Sequence, residues 1–211
     1  MRQGAPSLAA LRQANSAFAI SLLGLVSPSI ARHCRHVAEL ARHFSSQLMI
    51  AEPLRLEIFR TALLHDIGLL ATLPMEDIQR ATSCLYLDGS DDDHAEFGAQ
   101  LVSLFPDCTR ASEWIRHHHE RYDGTGYPDS LRGTRIPLGS RIISVADSWD
   151  CFLFAEGLAP AEALTKLEEL AGSVLDPQIV EAFADCTVAD FAVAESAATG
   201  CVRERAVRVT A

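Results

Sequence analysis

Apolar residues recur along this chain at the spacing of a helix rather than at that of a strand. Intervals of three and four residues place one face of a helix inward, whereas a half-buried strand alternates every second residue. The clearest inward stripe begins at a histidine and consists of His33, Val37, Leu40, Phe44 and Leu48. No alternating run is strong enough to predict a sheet. The pattern therefore predicts an all-α protein.

A second stripe ends in a His-Asp pair. Leu54, Ile58, Ala62 and His65 share one predicted helical face, and Pro53 suits the first turn of that helix. Gly68, two residues after Asp66, is a natural place for the helix to end or loosen. Further helices are predicted over 94–105, 109–119, 138–154, 160–171 and 177–184.

The chain divides into three predicted parts. Residues 1–28 form an N-terminal helical extension, in which 5–26 pack as an added helix. Residues 29–185 form the main domain, and 186–211 form a C-terminal tail with weak periodicity. The apolar run at 17–26 is shorter than the roughly 20 residues of a membrane span. We therefore expect no membrane span and a cytoplasmic location.

Composition narrows the classes of partner. The formal net charge is −10 over 211 residues, which argues against binding to a nucleic acid polymer. It leaves a nucleotide substrate open, because bound metal ions can invert the local field. None of the six cysteines forms a Cys-x-x-Cys pair, and we expect reduced, buried thiols.

The candidate chemistry is concentrated in histidines and aspartates. The pair His118-His119 runs into a Gly-rich turn that ends at Pro128, and paired imidazoles are typical transition-metal ligands. The candidate ligands are His33, His65, Asp66, His94, His118, His119 and Asp147. Five imidazoles and two carboxylates are too many for one open zinc site and fit two ions sharing a carboxylate.

Each candidate also has an ordinary structural interpretation. A lone inward His33 is more often a hydrogen-bonded core residue, and His94, after three aspartates, is more often at an exposed helix start. Asp147 could simply be hydrogen-bonded within its helix. His36, His43 and His117 are interpreted as surface residues or as neighbours of the ligands.

The motifs together resemble the HD-GYP branch of the HD superfamily of metal-dependent phosphohydrolases. The resemblance rests on the His65-Asp66 pair, the block from His118 to Pro128 and the sequence Val145-Ala146-Asp147, and it extends from about residue 29 to 183. It implies a helical bundle with an iron or manganese pair, and the family's metal ligands map onto all seven candidates. It also implies hydrolysis of a cyclic dinucleotide, typically cyclic di-GMP, to linear pGpG or GMP.

The resemblance also predicts roles for the site residues. Asp66 would bridge both ions, with His65 beside it at the catalytic centre. One ion would bind His33, His65 and Asp147, and the other His94, His118 and His119. Asp123 and Tyr127 would shape the substrate pocket, together with Arg121.

Two departures from the family concern substrate phosphates. Leu69 stands where the family usually has lysine, and the segment 148–159 contains no Arg, Lys or Tyr. Arg80, Arg116 or Arg121 could substitute, and restoring a cation with Leu69→Lys is expected to raise turnover. Two alternatives therefore stay open. One is a degenerate member, a signalling module that presents its Gly126-Tyr127-Pro128 loop to a protein partner. The other is a phosphohydrolase for another nucleotide. In either case the chain could form a homodimer.

Overall fold

The computed structural model describes residues 19–72, 93–105 and 107–185. Most of the predicted extension, the whole predicted tail and Arg80 lie outside these ranges. Within them the chain is helical, and the only strand-like pairing is an isolated bridge between Ala171 and Leu175. The all-α prediction is confirmed.

Eight α-helices follow one another between residues 28 and 184 of the described part of the chain, and residues 19–26 are also helical. They are α1 (Pro28–Gln47), α2 (Glu52–Ala62), α3 (Leu69–Thr72), α4 (Asp93–Ser103), α5 (Thr109–Arg116), α6 (Leu138–Phe154), α7 (Pro160–Leu170) and α8 (Pro177–Ala184). A 3₁₀ turn, Gly133–Arg135, precedes α6.

Proline and a capping side chain mark two of the helix starts. Ser27 precedes α1 and its Oγ accepts the N–H of Ile30 at 3.4 Å, with Pro28 in the first turn. Asp176 precedes α8 and accepts the N–H of Gln178 at 2.9 Å. These side chains satisfy backbone donors that have no partner inside the helix.

Helix α6 lies at the centre of the bundle. It contacts α1, α2, α5, α7 and α8, and its buried apolar residues join the largest core cluster. Examples are Ile142, Val145, Trp149 and Phe152, each at most 2% exposed. A polar residue on this helix is therefore surrounded by protein on most sides, and Asp147 is one of them.

A separate apolar cluster joins the helical residues 19–26 to the start of α1 and to α3. Its buried members are Ile20, Leu23, Ile30, Ala31, Cys34 and Leu69. Packing of the segment before α1 as an added helix is thus seen for its described part.

Two helices end earlier than the periodicity predicts. α2 stops at Ala62 and α5 at Arg116, so His65-Asp66 and His118-His119 lie in the turns that follow rather than on the helices. The reason is a side-chain hydrogen bond at each end. The Nδ1–H of His65 donates to the carbonyl of Ala62 at 2.8 Å, and that of His118 donates to the carbonyl of Ile115 at 2.6 Å. Each imidazole satisfies a carbonyl that the ending helix leaves open.

The described cysteines only partly match expectation. Cys34 is a free, buried thiol and Cys108 a free, half-buried one. Cys151 is disulfide-bonded, so the prediction of reduced thiols is wrong at that position. No helix among the described residues is long and apolar enough to cross a membrane.

Candidate metal centre

All seven predicted ligands meet at one place between five parts of the fold. His33 comes from α1, His65 and Asp66 from the turn after α2, and His94 from the first turn of α4. The pair His118-His119 comes from the turn after α5, and Asp147 from α6. Two sets of ligand atoms lie within 4.8 Å of one another, and they are His33, His65 and Asp66, and His94, His118 and His119.

The first set surrounds one oxygen of Asp66. Oδ2 of Asp66 is 3.7 Å from Nε2 of His33 and 3.5 Å from Nε2 of His65. Asp147 joins this side, because its Oδ1 is 3.1 Å from Nε2 of His33 and 4.0 Å from Nε2 of His65. Two imidazoles and two carboxylates therefore converge here.

The second set faces the other oxygen of Asp66. Oδ1 of Asp66 is 3.6 Å from Nε2 of His94, which in turn is 3.0 Å from Nε2 of His119. The ring centroids of His118 and His119 are 4.0 Å apart. One carboxylate thus presents an oxygen to each set, which is the geometry that a bridging ligand requires.

Burial excludes the ordinary interpretation of His94. It is 0% exposed, so it is not the exposed helix start that was the alternative. His33 is 3% exposed, which suits a core residue and a ligand equally. Asp147 is the open edge of the cluster, with 22% of its side chain exposed. A molecule in solution can therefore reach the cluster beside Asp147 and the half-buried His119.

Gly68 and Gly98 allow the backbone of α4 to lie directly against the His-Asp turn. A Cβ added to Gly68 would lie 1.9 Å from the carbonyl oxygen of His94 and 2.6 Å from the backbone nitrogen of Gly98. The two backbones are in direct contact, which leaves no room for a side chain. This contact places His94 against Asp66.

The histidine nitrogens fit a metal on chemical grounds. Nδ1 of His65 and of His118 is bonded to a backbone carbonyl, so Nε2 carries the lone pair. In both residues Nε2 is buried and has no hydrogen-bond partner. A buried nitrogen of this kind is costly unless something binds it, and a metal ion is the partner that this set of ligands suits.

Electrostatics keeps His118, His119 and Asp147 in the form that binds a cation. Burial, followed by the charges of neighbouring imidazoles, holds the pKa of His118 well below its ordinary value. Burial and then His94 lower the pKa of His119 to about 3. Partial burial raises the pKa of Asp147, but the hydrogen bond and charge of His33 outweigh it and bring that pKa to about 2. At neutral pH His118 and His119 are therefore neutral and Asp147 is ionised. Burial lowers the pKa of His33, but its hydrogen bonds to Asp147 and Asp150 outweigh burial and raise that pKa well above its ordinary value.

The Gly-Tyr-Pro loop is held by a buried carboxylate that the motif analysis did not single out. Glu120 is 3% exposed, and its two oxygens accept the backbone N–H groups of Asp129 at 2.7 Å and Leu131 at 3.0 Å. Backbone N–H groups of Tyr122 and Asp123 also donate to the turn after α7, at 3.0 and 2.8 Å. The loop beside His119 is therefore fixed on two sides.

The three predicted substrate residues occupy different parts of this loop. The Tyr127 ring stacks on His119, with centroids 5.2 Å apart. Arg121 and Asp123 bind each other at 3.2 Å, and both also bind Thr125. Tyr127 thus borders the cluster, whereas the charges of Arg121 and Asp123 are engaged within the loop.

Sequence reasoning missed Asp150. It is 2% exposed, and its carboxylate accepts Nδ1–H of His33 at 2.6 Å and Nδ1–H of His36 at 3.1 Å. The available signal was an acidic residue three positions after Asp147 in an otherwise apolar helix, because residues three apart share a face.

Known proteins resemble this chain in sequence. The sequence model of the HD domain family matches residues 18–179. The chain is 30% identical to 3'3'-cGAMP-specific phosphodiesterase 1 of Vibrio cholerae, over 71% of this chain and 36% of that protein. It is 31% identical to a cyclic di-GMP phosphodiesterase of Thermotoga maritima, over 72% of this chain and 43% of that protein. The chain therefore spans less than half of the length of these two relatives.

Solved structures share the fold. A cyclic GMP-AMP-specific phosphodiesterase of V. cholerae superposes with a TM-score of 0.64 at 20% identity, over 87% of this chain and 54% of that one. A protein described as HDG"Y"P, from Bdellovibrio bacteriovorus, superposes with a TM-score of 0.59 at 25% identity, over 72% of this chain and 50% of that one. Together with the sequence matches, they confirm the resemblance predicted from the motifs.

Proposed function

The chain belongs to the HD domain family, and we propose that it is a metal-dependent phosphodiesterase that opens a cyclic dinucleotide. The observation that carries the proposal is the single carboxylate, Asp66, with one oxygen toward each of two buried histidine groups. The names of the relatives, which are cyclic di-GMP and 3'3'-cGAMP phosphodiesterases, support this class of substrate.

In this proposal the seven residues hold two divalent ions. His33, His65 and Asp147 serve one ion, His94, His118 and His119 serve the other, and Asp66 serves both. Imidazole outnumbers oxygen among the ligands, which favours iron or manganese over calcium or magnesium. Such an ion pair supplies an activated water and stabilises negative charge at phosphorus.

The chain's own residues then bind and orient the substrate. The opening beside Asp147 and His119 admits a phosphodiester to the centre, and the Tyr127 ring, stacked on His119, borders that opening. Glu120 keeps the loop that carries Tyr127 in place. Arg121 and Asp123 complete the proposed loop side of the pocket.

Phosphate binding is the part of the proposal that departs from the family. Leu69 is 0% exposed and lies in the apolar cluster beside residues 19–26. The position therefore cannot present a cation to a substrate in this packing. Arg116 bonds to Asp129 at 2.9 Å and to Glu96 at 2.9 Å, and Arg121 bonds to Asp123. Each missing charge-assisted phosphate contact, at about 1.5–3 kcal/mol, would slow turnover roughly 10- to 150-fold.

These engaged or buried positions also favour a second candidate, a degenerate member that holds metal and signals through a protein partner at the Gly126-Tyr127-Pro128 loop. One experiment separates the two. The protein is purified without oxygen, loaded with Fe²⁺ or Mn²⁺, analysed for metal, and assayed with cyclic di-GMP and 3'3'-cGAMP. Two ions and a linear product support the enzyme. Two ions without turnover of either nucleotide or of a linear phosphodiester support the signalling module. Absence of bound ions contradicts both.

Asp66→Ala tests the ligand assignment itself. Because the proposed bridge serves both ions, this variant should lose both, whereas removal of a ligand from one set should spare the other ion. Elemental analysis measures the result, and circular dichroism checks that the variant is folded. A full metal complement in folded Asp66→Ala would refute the assignment.

A further inference from the structure

Two pairs of residues interlock where α1 meets α6. His33 and His36 lie three residues apart on α1, and Asp147 and Asp150 lie three residues apart on α6, so each pair shares one helical face. Nε2 of His33 approaches Asp147 at 3.1 Å, and its Nδ1–H donates to Asp150 at 2.6 Å. Nδ1–H of His36 donates to the second oxygen of Asp150 at 3.1 Å. The His33 ring is therefore anchored at Nδ1 by Asp150, and its Nε2 faces Asp147.

Asp150 is placed behind the cluster rather than in it. It is 2% exposed, and one histidine N–H binds each of its oxygens. His36 is itself 7% exposed and its ring lies 5.0 Å from that of Phe154. The histidine that holds Asp150 is thus also fixed by its surroundings.

The group that accepts the Nδ1–H of His33 is a carboxylate, and it differs from the acceptors of two other histidines in the cluster. His65 and His118 donate Nδ1–H to backbone carbonyls, those of Ala62 and Ile115. A carboxylate is a stronger acceptor than a carbonyl, and it makes the opposite nitrogen of the ring a better electron donor to a metal. His33 should therefore be the stronger ligand among these three.

The two metal positions then differ in negative charge. The position served by His33 and His65 has Asp147, half of the shared Asp66, and Asp150 behind it. On the side of His94, His118 and His119, the shared Asp66 lies 3.6 Å from His94. The charge of Asp147 also acts on His119, but more weakly than on His33 and His65. Attraction for a divalent cation increases with the number of nearby anionic groups.

We propose that Asp150, held by His36, is a positioning residue that orients His33 and makes the His33 side of the centre the first and tighter of two metal positions. The inference rests on the metal pair of the proposed function and adds an order of filling to it. A chain at limiting metal should carry one ion on the His33 side.

The test is a calorimetric titration of metal-free protein with Mn²⁺, without any nucleotide. The unsubstituted chain should show two binding events of unequal affinity. Asp150→Asn should weaken the tighter event by roughly 10- to 100-fold and leave the weaker event within about threefold. His36→Leu, which keeps an apolar contact with Phe154, should shift the same event in the same direction by a smaller factor. It serves as the test variant if Asp150→Asn does not fold.

A matched control and a metal-free readout complete the test. Asp176 is also 2% exposed but pairs with Arg141 at the start of α8, so a folded Asp176→Asn should leave both binding events unchanged. Nitrogen-15 NMR of the imidazoles should show His33 protonated at Nδ1 in the parent, with a changed signal in Asp150→Asn.

Three results would overturn the inference. They are equal affinities in the parent, equal weakening of both events in Asp150→Asn, and two unchanged events in that variant. In each of these the protein still binds two ions, so the proposed function survives. A parent that binds no Mn²⁺ would overturn the proposed function as well.

Discussion

Gly68 offers a test of how the fold assembles the metal centre. In Gly68→Ala the new Cβ would lie 1.9 Å from the carbonyl oxygen of His94 and 2.6 Å from the backbone nitrogen of Gly98. Both neighbours are backbone atoms, so no side chain can rotate away. The start of α4 must instead move off the His-Asp turn, and His94 moves with it.

The size of the effect follows from these distances. Bringing the Cβ to about 3 Å from the His94 oxygen, still a tight contact, requires a shift of about 1 Å. Metal–nitrogen bonds of about 2.0–2.1 Å tolerate only about 0.2 Å of error. Overpacking of this kind costs about 1–3 kcal/mol of unfolding free energy, and the rigid contact places this case near the upper end. We therefore expect a less stable protein that has lost the ion on the His94 side.

Urea denaturation measures the stability, and elemental analysis measures the metal. Gly98→Ala is the matched control, because its Cβ would meet a side-chain carbon of Ile115 at 3.1 Å and the backbone nitrogen of Gly68 at 3.2 Å. Alanine also favours a helix interior by up to about 1 kcal/mol. The control should stay within about 1 kcal/mol of the parent and keep two ions. Parent-like stability and two ions in Gly68→Ala would refute the reasoning.

Three further predictions concern the loop and the apolar cluster. Glu120→Gln keeps one of two buried acceptors, so we expect a loss of about 1–3 kcal/mol in unfolding free energy and faster hydrogen exchange at the amide of Asp129 or Leu131; unchanged exchange at both would contradict it. Asp129 has Arg116 as its strongest partner, which lowers the pKa of this carboxyl to about 2, below its value in the unfolded chain. The stabilisation is therefore present above about pH 4 and lost as the pH falls toward 2. Because Asp129 is 42% exposed, Asp129→Asn should cost no more than about 1 kcal/mol at pH 7, and urea titrations at pH 7 and below pH 3 should show this difference shrinking. Leu69→Lys should destabilise by on the order of 3–5 kcal/mol, because it buries an unpaired ammonium, whereas Leu69→Met should cost less than about 1.5 kcal/mol; equal stability of the two variants would contradict the buried packing.

The burial of Leu69 argues against an expectation drawn from the motif alone. The family's lysine position suggested that Leu69→Lys would restore phosphate binding and raise turnover. In the structure this side chain belongs to one buried apolar cluster with Ile20, Leu23 and Cys34. Nothing in the residues next to Leu69 shows that cluster, because it depends on a helix almost fifty positions earlier in the chain.

The ends of the helices show the same difference between what local sequence predicts and what tertiary contacts decide. The apolar stripe correctly predicts a helix through Leu54, Ile58 and Ala62, since that periodicity is local. It extends the helix too far, because His65 has the right spacing but uses its imidazole to bind the carbonyl of Ala62. Hydrophobic periodicity depends only on the spacing of residues along the chain. It does not show where a side-chain N–H takes the place of the next backbone N–H at a helix carbonyl.

The sequence by itself determined the helical class and the set of seven candidate ligands, because both depend on residue type and short-range spacing. The tertiary structure decided which ligands face which oxygen of Asp66, that Asp150 stands behind His33, and that Glu120 holds the loop. Asp150 and His33 are 117 positions apart, and only the packing of α1 on α6 brings them together. Contacts of that kind depend on how helix faces dock, and no local pattern along the chain specifies that docking.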